Sequence, residues 1–162
     1  MNINEWHDFF MATAGSAAAL TGLIFVGVSI NIQKILSVSK LPDRALLSLI
    51  LLLTILILSS LMLVPQQSFW LIGIEVAVFT TGVYIVVTKM DISIYKKTDA
   101  IYKRPYFISL VFNQLATLPY LVAGATILIC GEHGIYWLVP GIILSFIKAI
   151  IDAWVLLVEI NR

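Results

Sequence analysis

The sequence predicts an all-α fold: a polytopic transmembrane helix bundle with five spans, the N-terminus outside and the C-terminus cytoplasmic. Composition, the length of the apolar runs and the placement of basic residues together predict it. Of the 162 residues, 60% are hydrophobic and 12% are charged, and the mean hydropathy is +1.02. Soluble domains hold roughly 45–50% apolar and about 25% charged residues. The chain is therefore expected to lie in a bilayer.

Five apolar stretches are long enough to cross a membrane, which takes roughly 20 helical residues for about 30 Å of hydrocarbon. Helices are expected rather than barrel strands, because the runs lack a turn every ten or so residues and lipid demands internally paired backbone groups. Residues 1–162 then form a single integral membrane domain. The predicted spans are residues 9–33, 44–64, 69–88, 106–130 and 135–158.

The basic residues set the orientation. All Lys and Arg residues except Lys148 fall at the connections after the first and third spans or at the C-terminus, and the opposite side carries none. The positive-inside rule therefore places the N-terminus outside and the C-terminus in the cytoplasm, which requires an odd number of spans.

Small residues mark one face of the first span, where Gly15, Ala19 and Gly22 follow one another at helical spacing. Small side chains let helix backbones approach closely, and in lipid this packing replaces the hydrophobic effect. We therefore expect the first helix to be central, with these three residues as its packing face. The second span is almost wholly Leu and Ile and is expected to be peripheral and lipid-facing.

The first span, FFMATAGSAAALTGLIFVGVSINIQKIL, also carries a resemblance. It resembles a family of small, mostly uncharacterised bacterial membrane proteins whose first helix reads approximately F-x-x-x-A-G-x-A-A-A-L-T-G-L-I-F-V-x-x-S-I-N. The pattern falls on Phe10, Ala14, Gly15 and residues 17–26 and 29–31, about a sixth of the chain. The resemblance implies a multi-pass protein of the cell inner membrane, with no known activity and no catalytic residue.

Three ionisable residues fall inside the predicted spans: Glu75, Lys148 and Asp152. An unpaired charge at mid-bilayer costs about 2.5 to 3.5 kcal/mol, so such groups normally face the bundle interior and are paired. By helical rise Lys148 lies near the midplane and can reach either carboxylate. Asn113 and Gln114 fall in the Asp152 layer, so the sequence predicts a polar seam between the last three spans.

This seam has alternative interpretations. Two carboxylates share one ammonium, and in low dielectric this favours a carboxyl that exchanges a proton, as an ion or proton pathway needs. Alternatively, Lys148 and Asp152 neutralise each other, and the two amides complete a hydrogen-bond lock that fixes helix register. The lysine could also snorkel toward an interface. The sequence leaves these alternatives open.

A second group of polar residues is predicted at the outer rim, without any basic residue. In an oligomer it could form a negative vestibule that concentrates cations, or a histidine-based pH or metal sensor. The simpler interpretation is favoured, because the positive-inside rule already explains the missing lysines. Histidine spacing suited to a metal site is absent from the sequence, so no metal or cofactor is predicted. The group comprises Glu5, His7, Asp8, Glu132 and His133.

Charge and motifs narrow the function. A net charge of +1 argues against nucleic-acid binding. An enzyme is disfavoured because the sequence lacks the common hydrolase, metalloprotease, dithiol and P-loop motifs. An ion or proton channel or transporter is favoured, and five helices are too few to enclose its cavity comfortably, which predicts a homo-oligomer. The alternative is a non-conducting membrane subunit that binds or regulates another membrane protein.

Overall fold

The computed structural model describes residues 4–38, 41–98 and 103–160, and within these ranges the chain is helical and contains no strand. The predicted all-α fold is confirmed. A 3-10 helix, Gly131–Trp137, connects the last two α-helices. The α-helices are α1 (Asn4–Ile30), α2 (Ile32–Ser37), α3 (Leu41–Met62), α4 (Phe69–Lys96), α5 (Lys103–Cys130) and α6 (Leu138–Ile160).

Four helical segments of the described chain are long and apolar enough to cross a membrane: Trp6–Ile30, Leu41–Met62, Phe69–Lys96 and Lys103–Leu156. These lengths and compositions are compatible with an integral membrane protein. The fourth segment contains α5, the 3-10 helix and α6.

The fourth segment folds back on itself. The hydroxyl of Tyr120 in α5 donates a hydrogen bond to Ser145 Oγ in α6 at 3.0 Å. Further from the bend, Ser109 of α5 and Asp152 of α6 line the same small cavity. Residue numbers therefore rise along one helix as they fall along the other, so α5 and α6 form an antiparallel pair.

Helix α4 continues beyond the predicted end of the third span. It begins after Ser68, whose hydroxyl accepts a hydrogen bond from the Leu71 N–H at 3.4 Å, a typical N-cap. It ends at Lys96 rather than at residue 88. The extra turns are stabilised by an apolar face, since Ile94 is buried in one cluster with Val87 and with Leu47 of α3.

The predicted places of α1 and α3 are wrong. In the most apolar 18-residue window of α3, 56% of the residues are buried, against 11% in α1. Helix α3 lies at the centre and contacts α1, α4 and α6, whereas α1 packs chiefly against α3. Gly15, Ala19 and Gly22 are exposed, and a Cβ added at Gly15 or Gly22 would meet no atom within 4 Å.

The physical reason is that burial in a bilayer does not follow apolarity, because lipid tails are as apolar as leucine. The four side chains of Leu51, Leu52, Ile55 and Leu58 interlock with neighbouring helices and are fully buried. Hydroxyls on α3 add polar contacts, such as the 2.9 Å hydrogen bond between Ser59 Oγ and Thr13 Oγ1 of α1. Ser59 therefore marks the face of α3 that meets α1.

Glycines on α4 and α5 bring these two helices together. A Cβ added at Gly124 would lie 2.7 Å from the Cα of Ala77, and one added at Gly73 would lie 2.8 Å from Leu128 Cδ2. Such short distances leave no room for a side chain, so these glycines allow the close approach that small residues provide in membranes. The close pairing of α4 and α5 extends to the hydrogen bonds that Asn113 and Gln114 of α5 donate to Asp91 of α4.

Candidate functional site

Six polar or charged side chains from four helices converge at the end of the bundle where α3 and α5 begin. Asp91, Asn113, Lys148 and Asp152 are each at most 5% exposed. Charged residues are rarely buried this deeply unless they are paired. We call this group the charge cluster; it comprises Arg44 of α3, Asp91 of α4, Asn113 and Gln114 of α5, and Lys148 and Asp152 of α6.

Asp152 lies between two cations. The Nζ atom of Lys148, one turn earlier on α6, donates a hydrogen bond to Asp152 Oδ2. The other carboxylate oxygen, Oδ1, lies 3.9 Å from Arg44 Nη2. The Arg44 guanidinium also lies over the ring of Tyr106, 5.4 Å from its centroid, a distance typical of a cation–π contact. The two oxygens of this carboxyl therefore face two different cations.

Asp91 has different partners. Its Oδ1 accepts a 2.7 Å hydrogen bond from Asn113 Nδ2, and its Oδ2 accepts a 3.4 Å hydrogen bond from Gln114 Nε2. The Gln114 amide also contacts the Thr88 hydroxyl at 3.3 Å. Within the described residues, the hydrogen bonds to this carboxylate thus come from neutral amides. An amide, unlike an ammonium, can bond to either protonation state of a carboxyl.

One buried acceptor in the charge cluster is unsatisfied. Asn113 is fully buried, and in the described part of the chain its Oδ1 has no hydrogen-bond partner. A buried unpaired acceptor costs about 1–3 kcal/mol, so a native structure that keeps one calls for an explanation. The same amide already donates to Asp91, so a proton on the second oxygen of that carboxyl would supply the missing donor.

Two cavities adjoin the charge cluster. The smaller has a volume of about 10 Å³, the size of one water molecule, and is lined by both Asp91 and Asp152 together with Arg44, Tyr106 and Ser109. The larger is a cleft of about 440 Å³ between α5 and α6, and Arg44, Lys148 and Asp152 contribute to its lining. The charge cluster is therefore reached from the surface between α5 and α6.

An apolar layer fills the bundle on the other side of Lys148. Beyond the hydrogen bond between Tyr120 and Ser145, the fully buried side chains of Val76, Leu138 and Ile142 occupy the interior. This layer separates the charge cluster from the opposite end of the bundle.

The structure brings together four of the five residues predicted for the ion or proton pathway. Lys148, Asp152, Asn113 and Gln114 all belong to the charge cluster. Glu75 does not: its Oε2 accepts a 2.9 Å hydrogen bond from Gln67, and it lies about 24 Å from Asp91 along α4. The second carboxylate of the group is Asp91.

Asp91 and Arg44 are the residues that the sequence interpretation missed. The predicted third span ends at residue 88, one helical turn before Asp91, so the sequence interpretation places this acid in the cytoplasmic connection that follows. The spacing of Val87, Asp91 and Ile94 places all three on one helix face and could have extended the helix. Arg44 was used only to orient the chain.

The residues predicted at the outer rim lie at the opposite end of the bundle. His7 Nδ1 lies 3.7 Å from Asp8 Oδ1, and His7 lines a cavity of about 590 Å³ with Gln66 and Gln67. Glu132 and His133 belong to the 3-10 helix, which the contact between the Trp6 and Tyr136 rings, 4.9 Å apart, joins to α1. The Glu5 side chain lies outside the described residues. Among those described, no three metal-ligating side chains group as a metal site requires.

Comparison with known proteins adds no relative: no protein-family model, curated protein or solved structure matches this chain. The family resemblance of the first helix stays a prediction.

Proposed function

We propose that the chain is a five-span protein of the inner membrane, with its N-terminus outside and its C-terminus in the cytoplasm. Helices α5 and α6 have 28 and 23 residues, which correspond to about 42 and about 35 Å. Each exceeds the hydrocarbon thickness of about 30 Å, and the two are antiparallel. Together with α1, α3 and α4 they supply five spans, and the charge cluster then lies in the cytoplasmic half.

This topology predicts where Cys130 reacts. Cys130 is the only cysteine in the chain and is exposed at the end of α5. We expect a membrane-impermeant maleimide to label it in intact spheroplasts, because the turn between α5 and α6 faces outward. The Cys130→Ser variant serves as the blank. Labelling that requires permeabilised membranes would contradict the orientation.

We propose that the protein is a proton channel or transporter and that the charge cluster is its proton-binding site. The observation that carries this proposal is the Asp91 carboxyl, which is buried, held by neutral amides and joined to Asp152 through a cavity of the size of one water molecule. Intramembrane ionisable groups that face the bundle interior are typical of proton and ion pathways.

The chemistry of the site suits reversible protonation. With Asp91 ionised, two carboxylates balance Arg44 and Lys148, so the charge cluster is neutral. With Asp91 protonated, Oδ2–H can donate to Asn113 Oδ1 while Asn113 Nδ2–H continues to donate to Asp91 Oδ1. This cyclic pair of a carboxylic acid and an amide satisfies the unpaired Asn113 oxygen. A water molecule in the small cavity would connect the two carboxyls.

The pathway is open toward one side only. The cleft between α5 and α6 reaches Lys148 and Asp152, whereas the apolar layer of Val76, Leu138 and Ile142 closes the other side. A proton must therefore pass when this layer opens or along a path that a second copy completes. We propose a homo-oligomer for this reason.

Reconstitution tests the proposal. The purified protein in liposomes loaded with a pH-sensitive dye is expected to show proton flux when a potassium diffusion potential is imposed with valinomycin. Protein-free liposomes and liposomes without the potential are the controls. Absence of flux at either polarity of the potential, and under an imposed pH gradient, would contradict the proposal.

A non-conducting membrane subunit is the second candidate, and the exposure of α1 favours it. The face of Gly15, Ala19 and Gly22 is available to another transmembrane helix, which a stripe of small residues suits. We expect Gly22→Leu to abolish association with that helix, whether it belongs to a second copy or another protein. The protomer should stay folded, because a Cβ at Gly22 meets no atom within 4 Å.

Crosslinking in native membranes, followed by size-exclusion chromatography in detergent, measures this effect. Val78→Leu is a matched control, because Val78 is 69% exposed on α4 and away from α1. If Gly22→Leu and Val78→Leu behave like the wild type, the α1 face is not a contact.

A further inference from the structure

We infer that the cleft between α5 and α6 binds one anionic phospholipid of the cytoplasmic leaflet. The cleft has a volume of about 440 Å³, which falls within the 300–1,000 Å³ typical of ligand sites. It opens on the outer surface of the bundle, since Ile108 and Ile151 on its two walls are 54% and 46% exposed. In a membrane this surface faces lipid.

The walls and the floor of the cleft differ in chemistry. Ile108 and Phe112 of α5 face Ile151 and Val155 of α6, so the walls suit an acyl chain. Two cations and one carboxylate complete the lining: Arg44, Lys148 and Asp152. Arg44 and Lys148 are both paired with Asp152, so the positive charge that would select an anion has to come from the mouth of the cleft.

Further positive charge lies at the mouth of the cleft. Arg104 is exposed, immediately precedes Pro105, and lies one helical turn before Ile108 on the face of α5 that lines the cleft. Basic pockets between transmembrane helices on the cytoplasmic side are known to bind anionic headgroups. In the proposed topology a lipid of that leaflet would place its phosphate near Arg104. Its chain would then lie between the apolar walls.

This arrangement favours a phospholipid as the occupant of the cleft over a partner helix or a free fatty acid. The cleft opens on the lipid-facing surface of the proposed cytoplasmic half, where anionic phospholipids are abundant, so a phospholipid is its expected occupant. The inference concerns lipid binding alone and does not depend on proton transfer.

Native mass spectrometry of the detergent-solubilised protein tests the inference. Titration with phosphatidylglycerol is expected to give one tightly bound lipid per protomer. Phosphatidylcholine should bind about tenfold more weakly, because its quaternary ammonium cancels the charge of its phosphate. Ile108→Trp fills the cleft and should weaken phosphatidylglycerol binding by about tenfold or more. Ile129→Trp makes the same change on the same helix at a residue that is 82% exposed and far from the cleft, and should bind as the wild type does.

Arg104→Gln is a second test variant, and it leaves the apolar walls of the cleft intact. It should weaken the binding of phosphatidylglycerol more than that of phosphatidylcholine, whose phosphate charge is already balanced by its ammonium. Equal affinity of the wild type for the two lipids would overturn the inference, as would tighter binding of oleate. Unchanged phosphatidylglycerol binding by Ile108→Trp would also overturn it, because the lipid would then lie elsewhere.

Discussion

Asp152→Asn is expected to lower the free energy of unfolding by about 3–5 kcal/mol, the cost of breaking a buried ion pair. The carboxylate accepts a hydrogen bond from Lys148 Nζ and lies 3.9 Å from Arg44 Nη2, so the substitution takes the opposing charge away from the buried Lys148 ammonium. Reversible unfolding in mixed detergent micelles, followed by circular dichroism, measures the change.

Two further variants test how much the ion pair of Lys148 and Asp152 contributes to stability. Lys148→Met should cost less than Asp152→Asn, because Arg44 still faces the Asp152 carboxylate at 3.9 Å. The double variant Lys148→Met with Asp152→Leu should recover much of the loss, since well-packed apolar residues often replace a buried ion pair without cost. If Asp152→Asn were as stable as the wild type, Asp152 would not be the counter-ion of the charge cluster.

Asp91→Asn is expected to reduce proton flux in proteoliposomes to the level of protein-free liposomes. The substitution removes the exchangeable proton but changes the shape of the side chain little. One side-chain oxygen remains to accept the 2.7 Å hydrogen bond from Asn113, so the fold should persist. Loss of flux can then be assigned to proton binding rather than to unfolding.

Asp43→Asn is the matched control for this experiment. Asp43 lies at the start of α3 at the same end of the bundle, where it faces Lys97 at 3.7 Å, and its side chain is 36% exposed. Such an exposed pair contributes at most about 1 kcal/mol. Flux through Asp43→Asn should match that of the wild type. Equal flux through Asp91→Asn and the wild type would remove Asp91 from the pathway.

The fold class could be read from the sequence because composition and apolar run length are dictated by the solvent around the chain. The positions of α1 and α3 could not be read in the same way. Apolarity indicates that a helix lies in lipid, but it does not tell which helix lies inside the bundle. The buried hydroxyls of Thr54 and Ser59 on α3 were visible in the sequence, yet a hydroxyl can equally bond to its own helix backbone.

Prediction of the charge cluster from the sequence meets the same limit. Lys148 and Asp152 lie one turn apart on a single helix, so local geometry alone predicted their contact. Helical rise predicts Asn113 and Gln114 near that layer, and in the structure both donate hydrogen bonds to Asp91, which lines the same small cavity as Asp152. Asp91 was missed because the end of a helix at a membrane boundary depends on tertiary packing, here the burial of Ile94 against α3. Glu75 was wrongly joined to the group, because a turn residue, Gln67, supplies its partner.

The protonation of Asp91 is the central claim, and infrared difference spectroscopy tests it most directly. Spectra of the lipid-reconstituted protein at acid and alkaline pH should contain a carbonyl band of a protonated carboxyl that shifts in D₂O. We predict that Asp91→Asn abolishes this band and that Asp43→Asn preserves it. Superimposable spectra of the wild type and Asp91→Asn would contradict the account, because Asp91 would then keep one protonation state throughout.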